Sequence, residues 1–255
     1  MWYFKKLLLI MATCITFFLA PVFAIVIRHD VPDEKYQELG AQYPSFVFFG
    51  CGGTLIASNW ILTAAHCVGA QSSYLTVGES QCEIAEVIVH PQNTVSDFAL
   101  FRLSGHVRNI VPAKLYRKSD EQGQIAVLVG RGGTGNGKDG TITHDQKLRR
   151  ARNKIDLVNK LVIGFEMNDP SSALALDLEG VGGPGDSGGP AYIETDEGLF
   201  LAGVSSYGEW LYGDFDHYAR VSTHIDWIET TMREADALAE ANGTASFGDC
   251  AAVED

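Results

Sequence analysis

From about Phe46 onward the chain is a succession of short apolar runs broken by Gly, Asn, Asp and Ser, as at residues 46–49, 54–56, 84–89, 99–103 and 125–129. Runs so short and so punctuated read as strands, and amphipathic helices do not alternate with them as the crossovers of a parallel sheet require. The pattern therefore predicts a mostly β chain, a barrel or a sandwich. One segment departs from it. Residues 223–241 contain no Gly or Pro, place Ile225, Ile228 and Met232 at helical spacing, and run into Asn242-Gly243, a usual helix stop. The polar stretch 117–123 is the expected seam between two β units, and no internal repeat or low-complexity segment interrupts the chain.

At 255 residues and 46% apolar the chain can bury one large or two small cores. Its start reads as an export signal: Lys5 and Lys6, an apolar run over 7–20, Pro21, then Val22-Phe23-Ala24 as a small-x-small cleavage site, leaving Ile25 as the mature start. Apolar character continues through Ile27, so an uncleaved membrane anchor is the competing expectation. Cys14 lies within the hydrophobic run behind Thr13, a context that argues against lipid attachment. Without Lys5 and Lys6, 17 of the 19 basic side chains remain against 32 acidic ones, a net charge of −15. That balance disfavours nucleic acid and anionic membranes as partners. The four cysteines that remain, Cys51, Cys67, Cys82 and Cys250, suggest two disulfides in an exported protein, with three connectivities open.

The hexapeptide Gly185-Asp186-Ser187-Gly188-Gly189-Pro190 carries the chemistry. A serine hydroxyl attacks a carbonyl only if a base takes its proton and donors receive the oxyanion. Gly185 lets its own N–H and that of Ser187 converge on one point, while Gly188 and Gly189 remove side chains that would block a substrate. Two other residues fit the missing roles. His66, in Thr63-Ala64-Ala65-His66-Cys67, stands where the strand-like run 60–62 ends, and Asp97 precedes the alternating run 98–103. A carboxylate held there would keep the imidazole in the tautomer that accepts the serine proton. Taken singly, His66 also fits a structural histidine and Asp97 a turn residue.

Taken together, these segments resemble the chymotrypsin/trypsin family of serine proteases, whose chain order is His, Asp, Ser. Cys51-Gly52-Gly53-Thr54-Leu55-Ile56 and Thr63-Ala64-Ala65-His66-Cys67 resemble the strand before the histidine and the histidine motif; Asp97-Phe98-Ala99-Leu100 resembles the aspartate motif. Gly203-Val204-Ser205-Ser206-Tyr207-Gly208 resembles the substrate-binding strand, and Tyr218-Ala219-Arg220-Val221 through Trp227-Ile228 the run into the C-terminal helix. The likeness covers most of residues 25–232 and is thin over 140–178. It implies an all-β fold of two antiparallel six-stranded β-barrels with a C-terminal α-helix. The expected divisions are a signal over 1–24, a barrel over 25–118 carrying His66 and Asp97, a barrel over 119–222 carrying Ser187, and a helix and tail over 223–255. It further implies Ser187 as nucleophile, His66 as base, Asp97 as its orienting acid supported by Ser206, and Gly185 and Ser187 as the oxyanion hole. The backbone of Ser206, Tyr207 and Gly208 would pair with an extended substrate. Cys51 and Cys67 resemble the family's bridge beside the histidine, which leaves Cys82 and Cys250 as a second pair tying the tail to the first β unit.

The departures are as informative. In this family a new N-terminal amine, usually from an Ile-Val-Gly-Gly start, pairs with the aspartate before the serine; here these are Ile25 and Asp186, with Ile27 and Arg28 in place of the glycines. The residue six before the serine, at the base of the primary pocket, is Val181, which points to an apolar or small side chain before the scissile bond. Asp216 would line the opposite wall and attract a basic one, unless it is an exposed loop acid beside Asp214. The bridge near Gly183 is missing, residues 67–89 are too few for a calcium loop, and the seven histidines lack metal-ligand spacing. Gly130-Arg131-Gly132-Gly133-Thr134-Gly135 matches a dinucleotide fingerprint and 132–138 nearly matches a P-loop, yet no helix is expected after either; by resemblance the stretch is a loop on the leaving side. Asn242-Gly243-Thr244 is a glycosylation sequon. The resulting expectation is an extracellular or periplasmic serine endopeptidase, a monomer that acts on polypeptides with no cofactor, metal, nucleic-acid or membrane partner. The rival expectation is an inactive homologue that binds without cleaving.

Overall fold

A computed structural model describes residues 24–38, 42–245 and 248–253. The expected leader, with Lys5, Lys6 and Cys14, lies outside the described residues apart from Ala24. The run after it forms β1 (Val26–Ile27), followed by one turn of helix, α1 (Glu34–Gln37). The first sheet is built from β2 (Phe46–Phe48), β3 (Gly52–Ala57), β4 (Trp60–Thr63), β5 (Tyr74–Val77), β6 (Ser80–Val89) and β7 (Ala99–Leu103). They lie in the order β6-β7-β4-β3-β2, with β5 also on β6, and every pairing is antiparallel.

A short strand, β8 (Lys114–Leu115), already belongs to the second half, since it runs beside Phe200–Leu201. The rest comprises β9 (Ile125–Gly130), the hairpin β10 (Thr134–Gly135) and β11 (Ile142–Thr143), β12 (Arg149–Lys154), β13 (Leu157–Val158), β14 (Val162–Glu166), β15 (Gly180–Val181), β16 (Pro190–Thr195), β17 (Gly198–Gly208) and β18 (Phe215–Arg220). The second sheet has the order β12-β9-β16-β17-β18-β14-β13, while β15 pairs with β1. Helix α2 (Ile225–Ala241) starts two residues later than the sequence pattern suggests and stops at Asn242-Gly243, with Gly243 at φ +68°. The tail returns as β19 (Ala251–Ala252), which adds to the edge of β6. Each half thus has six principal curled strands plus short additions, and β8, parallel to β17, is the one exception to antiparallel pairing among the sheets' named strands.

The strands look uninterruptedly apolar because both of their faces are buried, and the period of two sorts the side chains between different cores. Ile61, Phe101 and Leu103 point with Leu55 and Val77 into the first barrel. Trp60, Leu62, Phe98 and Leu100 from the same strands and their start point the other way and meet Val127, Val129, Tyr192 and Leu201 of the second half, together with Ile225 and Ile228 of α2. Ala126 and Leu128, which alternate with Val127 and Val129, fill the second barrel with Ile163, Phe165 and Val181. The shared middle core therefore sets how one half sits on the other.

Both disulfides have the expected partners. Cys51–Cys67 closes a separation of 16 residues and Cys82–Cys250 one of 168; in the chain-entropy view even the shorter loop contributes about 3 kcal/mol. Two buried arginines tie segments that no strand pairing joins. Arg149, fully buried, forks between Asp33 and Asp145 at 2.5–2.8 Å, and Arg220 takes a bidentate grip on buried Glu121 at 2.8 and 2.7 Å. Breaking such a pair strands a buried charge. Glu121→Ala is expected to lose about 3–5 kcal/mol of stability, measured as a fall in the urea unfolding midpoint.

Candidate active site

His66 and Asp97 meet because of strand register. Thr63, the last residue of β4, lies opposite Ala99, the first of β7. Antiparallel pairing makes the residues after Thr63 and those before Ala99 leave the same end of the sheet. A single turn of 3-10 helix at Ala65–Cys67 then lifts His66 back over Asp97, while fully buried Phe98 anchors the aspartate's other flank. The imidazole Nδ1 lies 2.7 Å from Asp97 Oδ2, and the His66 backbone N–H donates to Oδ1 at 3.0 Å. A carboxylate only accepts, so Nδ1 carries the proton and Nε2 is left as the base. Ser206 Oγ donates to the same Oδ2 at 2.6 Å. Burial opposes ionisation of Asp97, but the hydrogen bonds from His66 and Ser206 outweigh it and hold the carboxyl below its ordinary value.

Ser187 arrives from the second half on a turn that needs its glycines. Gly185 and Gly188 have φ of +94° and +78°, in the left-handed region that favours glycine. The turn is pressed against the first sheet: Gly52 N–H donates to Ser187 O at 2.6 Å. A Cβ on Gly188 would lie 2.3 Å from Thr63 Oγ1 and 3.1 Å from Ala64 N. Ser187 is thus seated beside the segment that carries His66. Its Oγ forms no hydrogen bond to His66 among the described residues, as is common before substrate tightens a site.

The pairing of β17 with β16 ends at Val204, whereas its pairing with β18 continues through Tyr207 and Gly208. Ser206, Tyr207 and Gly208 therefore keep one backbone edge free of a strand partner. Tyr207, 60% exposed, stacks flat on His217 with ring centroids 4.7 Å apart. Beside it a cavity of about 310 Å³ is lined by His66, Asp97, Val95, Leu161, Ser206 and Tyr207 among others. A larger cavity, about 760 Å³, lies elsewhere, between the 112–118 segment, the turn at 195–197 and α2; no serine, histidine or cysteine lines it. Among the described residues no group of three His, Cys, Asp or Glu is placed to hold a metal ion, and no helix is long and apolar enough to cross a membrane.

Two buried carboxylates flank the serine turn. Asp186 is 1% exposed and accepts from Gly132 N–H and Gly183 N–H at 3.0 Å each. The fingerprint-like glycines explain themselves here, since a Cβ on Gly130 would lie 2.1 Å from Asp186 Oδ1. They serve as a cradle for a side-chain carboxylate, and the sequence reading of a loop on the leaving side missed it. Gly183 also lies against the carbonyl of buried Ala24, and Ile25, peptide-bonded to Ala24, has no free amine to pair with Asp186. Burial pushes Asp186 up to about 8 despite its backbone donors.

Asp216 is likewise no exposed loop acid. It sits in β18, 4% exposed, with Oδ2 accepting from Gly182 N–H at 2.7 Å. Val181, next to Gly182, is fully buried, pairs with Val26 and packs into the second core, so it offers the site no polar group.

The raised value of Asp186 has a definite sign for stability. The folded chain holds that proton in a range where the unfolded chain, titrating near 3.8, has lost it, so stability falls as pH rises toward about 8. Urea midpoints of the chain in which Ala24 precedes Ile25 should fall across that window, and Asp186→Asn should make the fall shallower. An unchanged slope in the variant would contradict the burial.

Comparison with known proteins agrees with this geometry. The Trypsin family's sequence model matches residues 38–228. The chain is 32% identical to Vitamin K-dependent protein C of Rattus norvegicus over 218 residues, which cover 73% of this chain and 47% of that protein. It is 34% identical to Serine protease SP24D of Anopheles gambiae over 209 residues, 72% of each chain, and 30% identical to Trypsin Tyr p 3.0101 of Tyrophagus putrescentiae over 213 residues, 72% of this chain and 73% of that one. The match thus spans about half of the protein C relative and nearly three quarters of the other two. With its two curled β halves and the histidine, aspartate and serine converging between them, this chain belongs to the trypsin family of serine proteases.

Proposed function

We propose that the chain is an exported serine endopeptidase that cleaves polypeptides through an acyl-enzyme formed on Ser187. The observation that carries this reading is the bonded array of Ser206, Asp97 and His66 set beside the Ser187 turn. Ser187 Oγ attacks the carbonyl carbon as His66 Nε2 takes its proton; Asp97 stays ionised and steadies the imidazolium. The N–H groups of Gly185 and Ser187 receive the oxyanion. His66 then returns the proton to the leaving amine, and water repeats the sequence to release the acyl group. The free edge at residues 206–208 holds the substrate as an added strand, which gives affinity with little side-chain preference. No step calls for a cofactor or a metal.

Export follows from the leader-like residues 1–24 together with two disulfides, and the acidic balance keeps nucleic acid and anionic membranes off the list of partners. Cleavage after Ala24 supplies the Ile25 amine, the cation that buried Asp186 lacks. By resemblance Val181 and Asp216 stand at the base and wall of the primary pocket, although both are buried and line neither cavity, and the enzyme acts as a monomer.

A fluorophosphonate probe should label the protein that starts at Ile25 and fail to label Ser187→Ala; a folded, mature sample that stays unlabelled would favour the rival reading, a homologue that binds without cleaving. Asp97→Asn keeps the shape but holds the imidazole in the wrong tautomer, and should cost about 10⁴-fold in kcat. Gly188→Ala drives a methyl into Thr63 and Ala64 and shifts the nucleophile. A displacement of about 1 Å costs roughly 100-fold, to be read as kcat alongside a circular dichroism spectrum that reports retained fold.

A further inference from the structure

Asp97 ends a short loop, residues 90–97, that joins β6 to β7 through Phe98, and two histidines outside the triad hold this loop in shape. His90 N–H donates to Phe98 O at 2.9 Å and Ser96 N–H to Gln92 O at 2.8 Å, so the loop folds back on itself. His90 Nδ1 accepts from Gln92 N–H at 3.1 Å. From the start of α2, His224 Nε2 lies 2.9 Å from the Oγ of Ser96, the residue before Asp97. The partners fix both tautomers. An amide N–H only donates, so His90 Nδ1 is bare. His224 Nδ1 faces Arg220 O at 2.9 Å and Thr223 Oγ1 at 3.0 Å; a carbonyl only accepts, so this nitrogen carries the proton and Nε2 receives the Ser96 hydroxyl. Each ring thus serves the loop as an acceptor. A second proton would set an N–H of His90 against the Gln92 N–H, and would reverse the bond between His224 and Ser96.

Neither ring has surroundings fit for a charge. His90 is 8% and His224 9% exposed; they meet edge to face with centroids 5.4 Å apart, His90 packs on Trp227 at 4.6 Å and His224 on Phe98 at 4.7 Å. The charged groups around them give no help. His224 opposes a proton on His90, and Lys160, in the turn between β13 and β14, opposes one on His224. The Arg220 guanidinium is taken by Glu121, Asp97 is turned to His66 and Ser206, and Asp226 of α2 is exposed. Burial accordingly lowers both histidines from their ordinary value, and only the Arg220 carbonyl works the other way, on His224.

We propose that His90 and His224 are positioning residues for Asp97 that work only as neutral imidazoles, so that acid loosens the loop and switches the triad off. This rests on the reading of His66, Asp97 and Ser187 as the triad of a peptidase. The Ser96 hydroxyl can turn to accept from a protonated ring, but the Gln92 amide cannot, and a charged imidazole gains by leaving for water. Gln92 and Ser96 then lose their hold, and Asp97 its fixed place beside His66. The unfolded chain takes up these protons near 6.5 and the folded loop only at lower pH. The hold is therefore complete above that value and is lost as pH falls through the folded one.

The test compares the chain that starts at Ile25 with its double variant His90→Asn, His224→Gln. The Asn Oδ1 stands for Nδ1 and the Gln Oε1 for Nε2, and neither acceptor titrates. Both proteins carry the same His66, so its titration cancels in the ratio of their kcat/KM values on one peptide. The variant-to-parent ratio should climb as pH falls from 7.5 to 5, by up to about tenfold per unit for each proton the parent takes up. A ratio that stays flat or falls overturns the proposal.

A second measurement needs neither turnover nor the histidine variant. In Ser187→Ala, hydrogen exchange of the Gln92 and Ser96 amides, corrected for the intrinsic effect of pH, should lose protection over the same range while the amides of β7 keep theirs. Protection that holds equally in loop and strand also overturns the proposal. Should the peptide never be cleaved while the loop amides still lose protection in acid, the peptidase reading fails and the hold of the two histidines stands.

Discussion

Everything at the site depends on two backbones approaching without side chains between them. The Ser187 turn lies on the first sheet through the hydrogen bond from Gly52 N–H, and a Cβ on Gly52 would come within 2.6 Å of Gly189. Glycines on both sides allow the contact, and the middle core of Trp60, Leu62, Phe98, Val127, Val129 and Tyr192 presses the halves together. Ser187 belongs to one half and His66 to the other, so this packing is what brings them together. Catalytic groups must be held within fractions of an ångström. A seam of close backbone contact over a dense apolar core is stiff enough to do so.

The buried charges divide by what surrounds them. Arg149 and Arg220 are matched by carboxylates in bidentate geometry, and act as internal ties. Asp97 is partly buried but takes donors from His66 and Ser206, which hold its carboxyl below the ordinary value. Asp186 and Asp216 are sealed and receive chiefly backbone donors, and burial raises both carboxyls above their ordinary value. Both are held by the same glycine turn, Asp186 through Gly183 N–H and Asp216 through Gly182 N–H.

Much of this was legible residue by residue. The strand runs, the helix up to its stop at Asn242-Gly243 and the histidine, aspartate and serine segments carry strong local signals, because a period of two, a helix stop and a glycine-framed serine are short-range physics. The hairpin-rich region 140–178 carried weak ones: β11 and β13 are two-residue strands whose partners, not their own composition, make them strands. Asp216 sounded like a loop acid beside Asp214, since nothing local distinguishes a carboxylate in a sealed strand from one in a turn. The glycines at 130–135 imitated a phosphate loop for a related reason. Close approach of any anion to backbone asks for glycine, and here the anion is a side chain 54 residues away.

The sequence by itself determined the elements and the chemical inventory: a β chain, a terminal helix, four cysteines after the leader-like start, and a serine framed by glycines. Only the tertiary structure decided that Thr63 faces Ala99, which brings His66 onto Asp97, that Cys82 joins Cys250, and that Asp186 and Asp216 are shut away from water. The reason is range. Propensity, capping and glycine freedom act within a few residues, whereas register, desolvation and the meeting of charges depend on which distant segments share a core.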